Sequence, residues 1–264
     1  MKPNEPWKGP SPEGNAEFNQ IQKNLLDLRL KYWKQALDQE FDGLKSGERE
    51  LLSAHLKRHT VLELSERKTE SIRRRIDAAK FIRIQTVDQY DFDYNASTKA
   101  AKAPYLKLHR QACDGQIPHA VFVGSTGLGK THLARALGYA ACQANQSVLF
   151  TKASTIVNVL AAAKATHNLD RELKKYCKPQ LLIIDELGYV TMDVEASNLF
   201  FQVISDRHDR RLGTIVTTNY AFGHWNQIFA SNSTAVVTVE RLTAEAEVFF
   251  LEGPSYPQEK KKRK

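Results

Sequence analysis

The stretch GSTGLGKT, residues 124–131, decides how the rest of the chain is read. An apolar run, HAVFVG (119–124), leads into it, and good helix formers from His132 to Ala144 follow at once. Gly124, Ser125, Thr126, Gly127, Leu128, Gly129, Lys130 and Thr131 match G-x-x-x-x-G-K-[ST] in a strand–loop–helix setting. Glycines let the backbone curl so that successive N–H groups point inward at phosphate oxygens. The helix start adds partial positive charge from its aligned peptide dipoles. In such a loop the lysine, here Lys130, reaches the β- and γ-phosphates of ATP, and the hydroxyl of Thr131 ligates Mg2+. His132 closes the candidate binding segment. A glycine-rich turn without a ligand is the plain alternative, and the flanking strand and helix speak against it.

Working outward, short β-like runs alternate with helical stretches from about residue 96. The runs are HAVFVG (119–124), SVLFTK (147–152), LLIID (181–185), TIVTT (214–218) and EVFFLE (247–252). This rhythm predicts an α/β domain with a parallel sheet covered on both faces. LLIID ends in Asp185, with Glu186 next. An acid at such a strand tip holds Mg2+ in P-loop NTPases. Neighbouring side chains at a strand end point in opposite directions, so the two acids can divide the work. Asp185 is assigned to the metal and Glu186 to the attacking water as general base. A strand ending in solvated acids is the alternative. Asn219, after the next strand, is the candidate for orienting that water or sensing the γ-phosphate, although asparagine is also a common turn residue.

Toward the N-terminus the pattern changes. Residues 1–15, rich in Pro, Gly and Asn, read as a mobile arm. Phe18, Ile21, Leu25, Leu28 and Tyr32 then recur at helical spacing, Leu51, Leu52 and Leu56 follow, and Ser65 reads as the N-cap of a basic helix carrying Ile72 and Ile76. Residues 16–85 are thus expected to form a small helical domain. VDQYDFDYN (87–95) anchors an extended connector over 86–98 whose aromatics pack against something. The nucleotide-binding domain is expected over 99–257 and a solvated basic tail over 258–264.

The chain has 264 residues with 38 Lys+Arg against 30 Asp+Glu, a net charge of +8. A basic excess of this size favours an anionic partner, nucleic acid first. Arg73, Arg74, Arg75 and Lys80 are the candidate DNA contacts, with a merely solvated face as the alternative. No apolar run approaches the roughly 20 residues that span a bilayer, and the first 15 residues lack the apolar core of a signal peptide. Three widely spaced cysteines make neither a disulfide framework nor a zinc set. A reduced, cytoplasmic protein is expected. His55 and His59 lack a third zinc ligand. Phe222 and Trp225 suit packing at a corner better than stacking on bases.

On GKTHLARALG (129–138), LLIIDELGYV (181–190), LFFQVISDRHDRR (199–211), TIVTTNYAFGHWNQIF (214–229) and ERL (240–242), the chain resembles the AAA+ ATPases of the IstB/DnaC group. That group comprises ATP-binding transposition proteins of two-gene insertion sequences and bacterial helicase loaders. The resemblance spans roughly residues 20–256, and the helical N-terminal part looks more like the IstB branch. It implies a P-loop AAA+ sheet in strand order 5-1-4-3-2; only a dozen residues follow the last β-like run, so a full lid domain is not expected. It also implies a homo-oligomer with ATP between neighbours, and action on duplex DNA with a cognate transposase. Arg241 stands where the group carries an arginine finger supplied in trans. Glu240 replaces the group's usual Asp before that arginine, and Pro257 stands where the group has an arginine that suits a second nucleotide sensor. The competing expectations are a helicase loader with a preference for single strands, a nucleotide-switched DNA scaffold with little hydrolysis, and a small-molecule kinase.

Overall fold

The computed structural model describes residues 12–256, apart from the side chains of residues 12–15, 42 and 46. The N-terminal arm up to residue 11, Pro257 and the basic tail lie outside the described residues. The chain divides into two compact units, Met1–Ser71 and Ile72–Lys264.

In the first unit, α1 (Pro12–Asp27) and α2 (Lys31–Gly43) pack as neighbours, and α3 (Ser46–Ala78) begins here. The unit boundary falls within α3, earlier than the change of sequence rhythm suggests. The periodic apolar positions do form a core: Ile21, Leu25 and Leu37 are buried against Phe18, Leu30, Phe41, Leu52 and Leu56. Arg29 takes a positive φ of 61° between α1 and α2, so the single helical pattern from Phe18 to Tyr32 is in fact two helices. Ser65 is not an N-cap. It lies inside the 33-residue α3 and bonds back to the carbonyl of Leu62. Nothing in VLELSE breaks the helix there, and a serine mid-helix bonds the preceding turn instead of capping.

The second unit holds the sheet. β1 (Ala120–Gly124), β2 (Val148–Lys152), β3 (Leu181–Leu187), β4 (Gly213–Thr218) and β5 (Glu247–Leu251) form one sheet in the order β2-β3-β4-β1-β5, with every pairing parallel. This is the 5-1-4-3-2 order that the resemblance implied. Around it lie α4 (Ala96–Cys113), α5 (Lys130–Gln143), α6 (Ala153–Ala165), α7 (Leu169–Cys177), α8 (Val194–Asp209) and α9 (Asn232–Thr243).

Strand side chains alternate faces, and both faces here are apolar. Ala120, Phe122, Leu181, Ile183 and Ile215 pack with Leu133 and Leu137 of α5. Val121, Val123, Leu182, Ile184 and Val216 pack on the other face with Ile156, Leu160, Phe200 and Val203. This double burial explains the uninterrupted hydrophobic runs of the sequence. It also fixes which face each strand-tip residue inherits.

The 86–98 segment is not extended. It forms two short 3-10 turns, Val87–Gln89 and Phe92–Tyr94, before α4 starts at Ala96. Asp91 and Asn95 accept from the backbone N–H of Asp93 and Thr98, so local side-chain bonds favour turns over a strand. Phe92 and Tyr94 are buried, as the aromatic spacing suggested.

At the N-terminal edge of the sheet a buried arginine ties several segments together. Arg207 donates to the carbonyls of Tyr176 (2.7 Å), Pro179 (2.9 Å), Gln180 (3.3 Å) and Gly213, and to Thr214 Oγ1 at 3.1 Å. Burial pulls its guanidinium down to about 10.

Candidate phosphate-binding site

The strand parity sets the site. Asp185 follows Ile183 on the α5 face of β3, and Thr217 follows Ile215 on the same face of β4. Thr131, at the start of α5, therefore meets Asp185 across 54 residues of chain: its hydroxyl donates to Asp185 Oδ1 at 2.8 Å. The hydroxyl of Thr217 donates to the same oxygen. Asp185 is 2% exposed. A buried carboxylate flanked by two hydroxyls is an oxygen-rich donor set of the kind Mg2+ takes.

The loop before α5 is wound tightly. Gly129 sits at φ 80°, and a Cβ there would lie 2.3 Å from Cε2 of Tyr90. Gly127 sits at φ 85°, and a Cβ would lie 2.6 Å from Cβ of Ser255. No side chain caps α5, so its first-turn N–H groups remain for an anion. Lys130 Nζ donates to the carbonyls of Gly124 (2.6 Å) and Ser125 (2.8 Å), folding the lysine back over its own loop. Burial lowers its pKa to about 8, with Asp185 pulling in the opposite direction.

One cavity of about 480 Å3 gathers these parts. Thr126 through His132 line it, together with Glu186, Thr217 and Asn219. Glu186 has a positive φ of 59° and turns toward β2, where Lys152 Nζ lies 2.8 Å from its Oε2. That hydrogen bond raises the Lys152 pKa.

Several lining residues, Tyr90, Tyr94 and Arg135 among them, escaped the sequence reading. The hydroxyls of Tyr90 and Tyr94 both donate to the carbonyl of Leu128, at 2.8 and 3.3 Å, and so hold the phosphate loop from outside. The His132 ring lies 2.8 Å from the carbonyl of Thr86 and 2.9 Å from Gln85 Nε2. Arg135 stacks on Phe150 at 4.6 Å, and its buried Nε has no partner. The alternation of aromatics with acids in 87–95 was the available signal, but it does not say what the rings touch. The residues present fit a nucleoside triphosphate with its metal: a curled loop with no room for a Cβ at Gly127 or Gly129, a buried lysine, and an oxygen-rich carboxylate site.

The remaining sequence candidates lie elsewhere. Arg241, near the end of α9, shares a small cleft with His119, just before β1, and Thr214, at the start of β4. That is the N-terminal edge of a parallel sheet whose C-terminal edge carries the phosphate loop, and β1 alone separates the two by roughly 13 Å. Arg241 is therefore not part of its own chain's cavity. At the end of α3, Arg73 and Arg74 are exposed, as is Lys80 beyond it, while Arg75 Nε is bonded to Asn145 Oδ1. Trp225 is fully buried and donates to the carbonyl of Tyr220, so it serves the core. Among the described residues no cluster of three or more His, Cys, Asp or Glu could hold a metal, and no helix is long and apolar enough to cross a membrane.

Known proteins resemble this chain over most of its length. The insertion sequence IS232 protein of Bacillus thuringiensis subsp. berliner is 34% identical over 239 residues, covering 90% of this chain and 94% of that protein. The insertion sequence IS5376 protein of Geobacillus stearothermophilus is 32% identical, covering 74% of this chain and 76% of the relative. Among solved structures, the DnaC helicase loader superimposes with a TM-score of 0.55 at 21% identity, over 68% of this chain and 99% of that one, a likeness of fold. The family model for IstB-like ATP binding proteins matches residues 24–264, and the chain belongs to that family.

Proposed function

We propose that the chain is an ATP-dependent, DNA-binding regulator of transposition: it hydrolyses ATP at subunit interfaces, assembles on duplex DNA, and recruits or stimulates a partner transposase. The observation that carries this reading is the cavity that Lys130, Thr131, Glu186 and Asn219 line beside the glycine-rich loop, with Asp185 accepting a hydrogen bond from Thr131. The names of the insertion-sequence relatives support the link to transposition. The net charge of +8 supports a polyanionic partner.

In this mechanism the loop N–H groups and Lys130 bind the β- and γ-phosphates. Thr131 and Asp185 would hold Mg2+, which would supply charge neutralisation at the phosphates. Asn219 orients the water. Glu186 accepts the proton of that water as its oxygen bonds to the γ-phosphorus and the bond to the β–γ bridging oxygen breaks. Lys152 Nζ, 2.8 Å from Glu186 Oε2, orients that carboxylate. Arg241 of a neighbouring copy stabilises the charge that develops on the transferred group. Gln85, Gln89 and Tyr90 also line the cavity and offer polar and aromatic groups suited to a nucleobase.

Lys130→Ala and Glu186→Gln test the reading together. Lys130→Ala should lose ATP binding, and Glu186→Gln should bind ATP normally but release phosphate slowly. Equal loss of binding in both would overturn the division of roles. Tighter binding to single-stranded than to duplex DNA would favour a helicase loader instead.

A further inference from the structure

Arg241 does not hang free. α8 and α9 pack side by side, and across that seam Arg241 Nη1 donates to Asp209 Oδ1 at 2.7 Å. Its guanidinium also lies 5.6 Å from the centroid of the Phe201 ring. Phe201 and Asp209 stand eight residues apart on α8, a spacing that returns to one helix face after about two turns. Asp209 is oriented in turn: His208 Nδ1 lies 3.3 Å from its Oδ1. Hydrogen bonds from His208 and then Arg241 hold the Asp209 carboxyl below its ordinary range.

The pair contributes little to stability. The Asp209 side chain is 62% exposed, so solvent screens the pair. Its geometry is nonetheless specific. Arginine is a long side chain with many rotamers, and one carboxylate plus one ring face here restrict both its reach and its plane. A single guanidinium nitrogen is engaged, which leaves other N–H donors of the fork for an oxyanion.

We infer that Asp209 is a positioning residue, which together with Phe201 presets Arg241 for the γ-phosphate held by a neighbouring copy. This rests on the reading of Arg241 as a finger in trans. Asp209 acts through Arg241 and not on the reacting groups themselves. Its contribution is to meet in advance the ordering cost of one long side chain.

Mixed assemblies of full-length chains, assayed for phosphate release with ATP, Mg2+ and duplex DNA, separate the two claims. The reference is Glu186→Gln mixed with Arg241→Ala, in which the productive interface pairs the intact Glu186 of one chain with the intact Arg241 of the other. Asp209→Ala is then added to the chain that supplies the arginine, or to the chain that supplies the base. The first placement should lower activity roughly three- to tenfold, the factor that ordering such a side chain is worth. The second should match the reference. Asp209→Glu in the first placement should restore most of the loss.

Equal losses in both placements would reduce Asp209 to a structural role and overturn the inference. No loss in either placement would overturn it too. A gain in the first placement would mean that Asp209 withholds the arginine, which also overturns it. If the reference mixture is inactive while both chains co-assemble, the trans reading itself fails, and that result is distinct from the other three.

Discussion

Gly129→Ala probes the junction of the phosphate loop with the tyrosines that hold it. Two costs follow from the structure. Gly129 sits at φ 80°, and a residue with a Cβ in the left-handed region loses about 1–2 kcal/mol. The new methyl would also lie 2.3 Å from Cε2 of Tyr90. That ring cannot swing aside freely: it packs edge-on against Phe92 and Tyr94, tilts against His132, and donates to Leu128. Displacing it forfeits a hydrogen bond worth about 0.5–1.5 kcal/mol. The sum is roughly 2–3 kcal/mol, a fall in Tm of roughly 4–12 °C for a unit of this size. Tyr90→Phe alone should cost only the hydrogen bond. In a Tyr90→Ala background, Gly129→Ala should cost only the backbone term, so a double-mutant cycle should show about 1 kcal/mol of coupling. Thermal melts give stability, and titration with a fluorescent ATP analogue gives affinity, which should fall in parallel as the loop moves. If Gly129→Ala melts and binds like the parent, or if the cycle shows no coupling, then Tyr90 does not hold the loop.

Further outcomes follow from other parts of the structure. Lys130 has its pKa lowered to about 8 by burial, and a phosphate would raise it; ATP affinity should therefore be full below about pH 8 and fall by up to tenfold per unit above it, and calorimetric titration showing a flat profile from pH 7 to 9.5 would refute this. Arg207→Met leaves the carbonyls of Tyr176, Pro179, Gln180 and Gly213 without their donor; urea denaturation should show a destabilisation of roughly 3–5 kcal/mol, and an unchanged midpoint would remove Arg207 from the scaffold. DNA affinity should fall linearly with salt on a log–log plot, and replacing Arg73, Arg74 and Lys80 with alanine should flatten the slope by about 0.9 for each DNA phosphate that is no longer neutralised; an unaltered slope would place the DNA-binding surface elsewhere.

What the sequence determined by itself is the part governed by local pattern. The central runs became β1, β3 and β4 because strands buried on both faces are dominated by apolar and β-branched residues, whereas β2 and β5, at the sheet edges, keep exposed positions. The phosphate loop was legible for the same kind of reason: its glycines, lysine and threonine are consecutive, and their chemistry needs that order. Ser65 shows where local pattern misleads. A capping residue looks alike in a helix interior and at a helix start, and the continuity of α3 decides between them. Tertiary structure alone decided how distant segments meet. Tyr90 meets Leu128 across 38 residues, Thr131 meets Asp185 across 54, and Asp209 meets Arg241 across 32. Each depends on which face of a strand or helix a side chain inherits and on which elements lie beside it. That information belongs to the packing of the sheet and its helices, because one residue's shift in register turns a side chain to the opposite face.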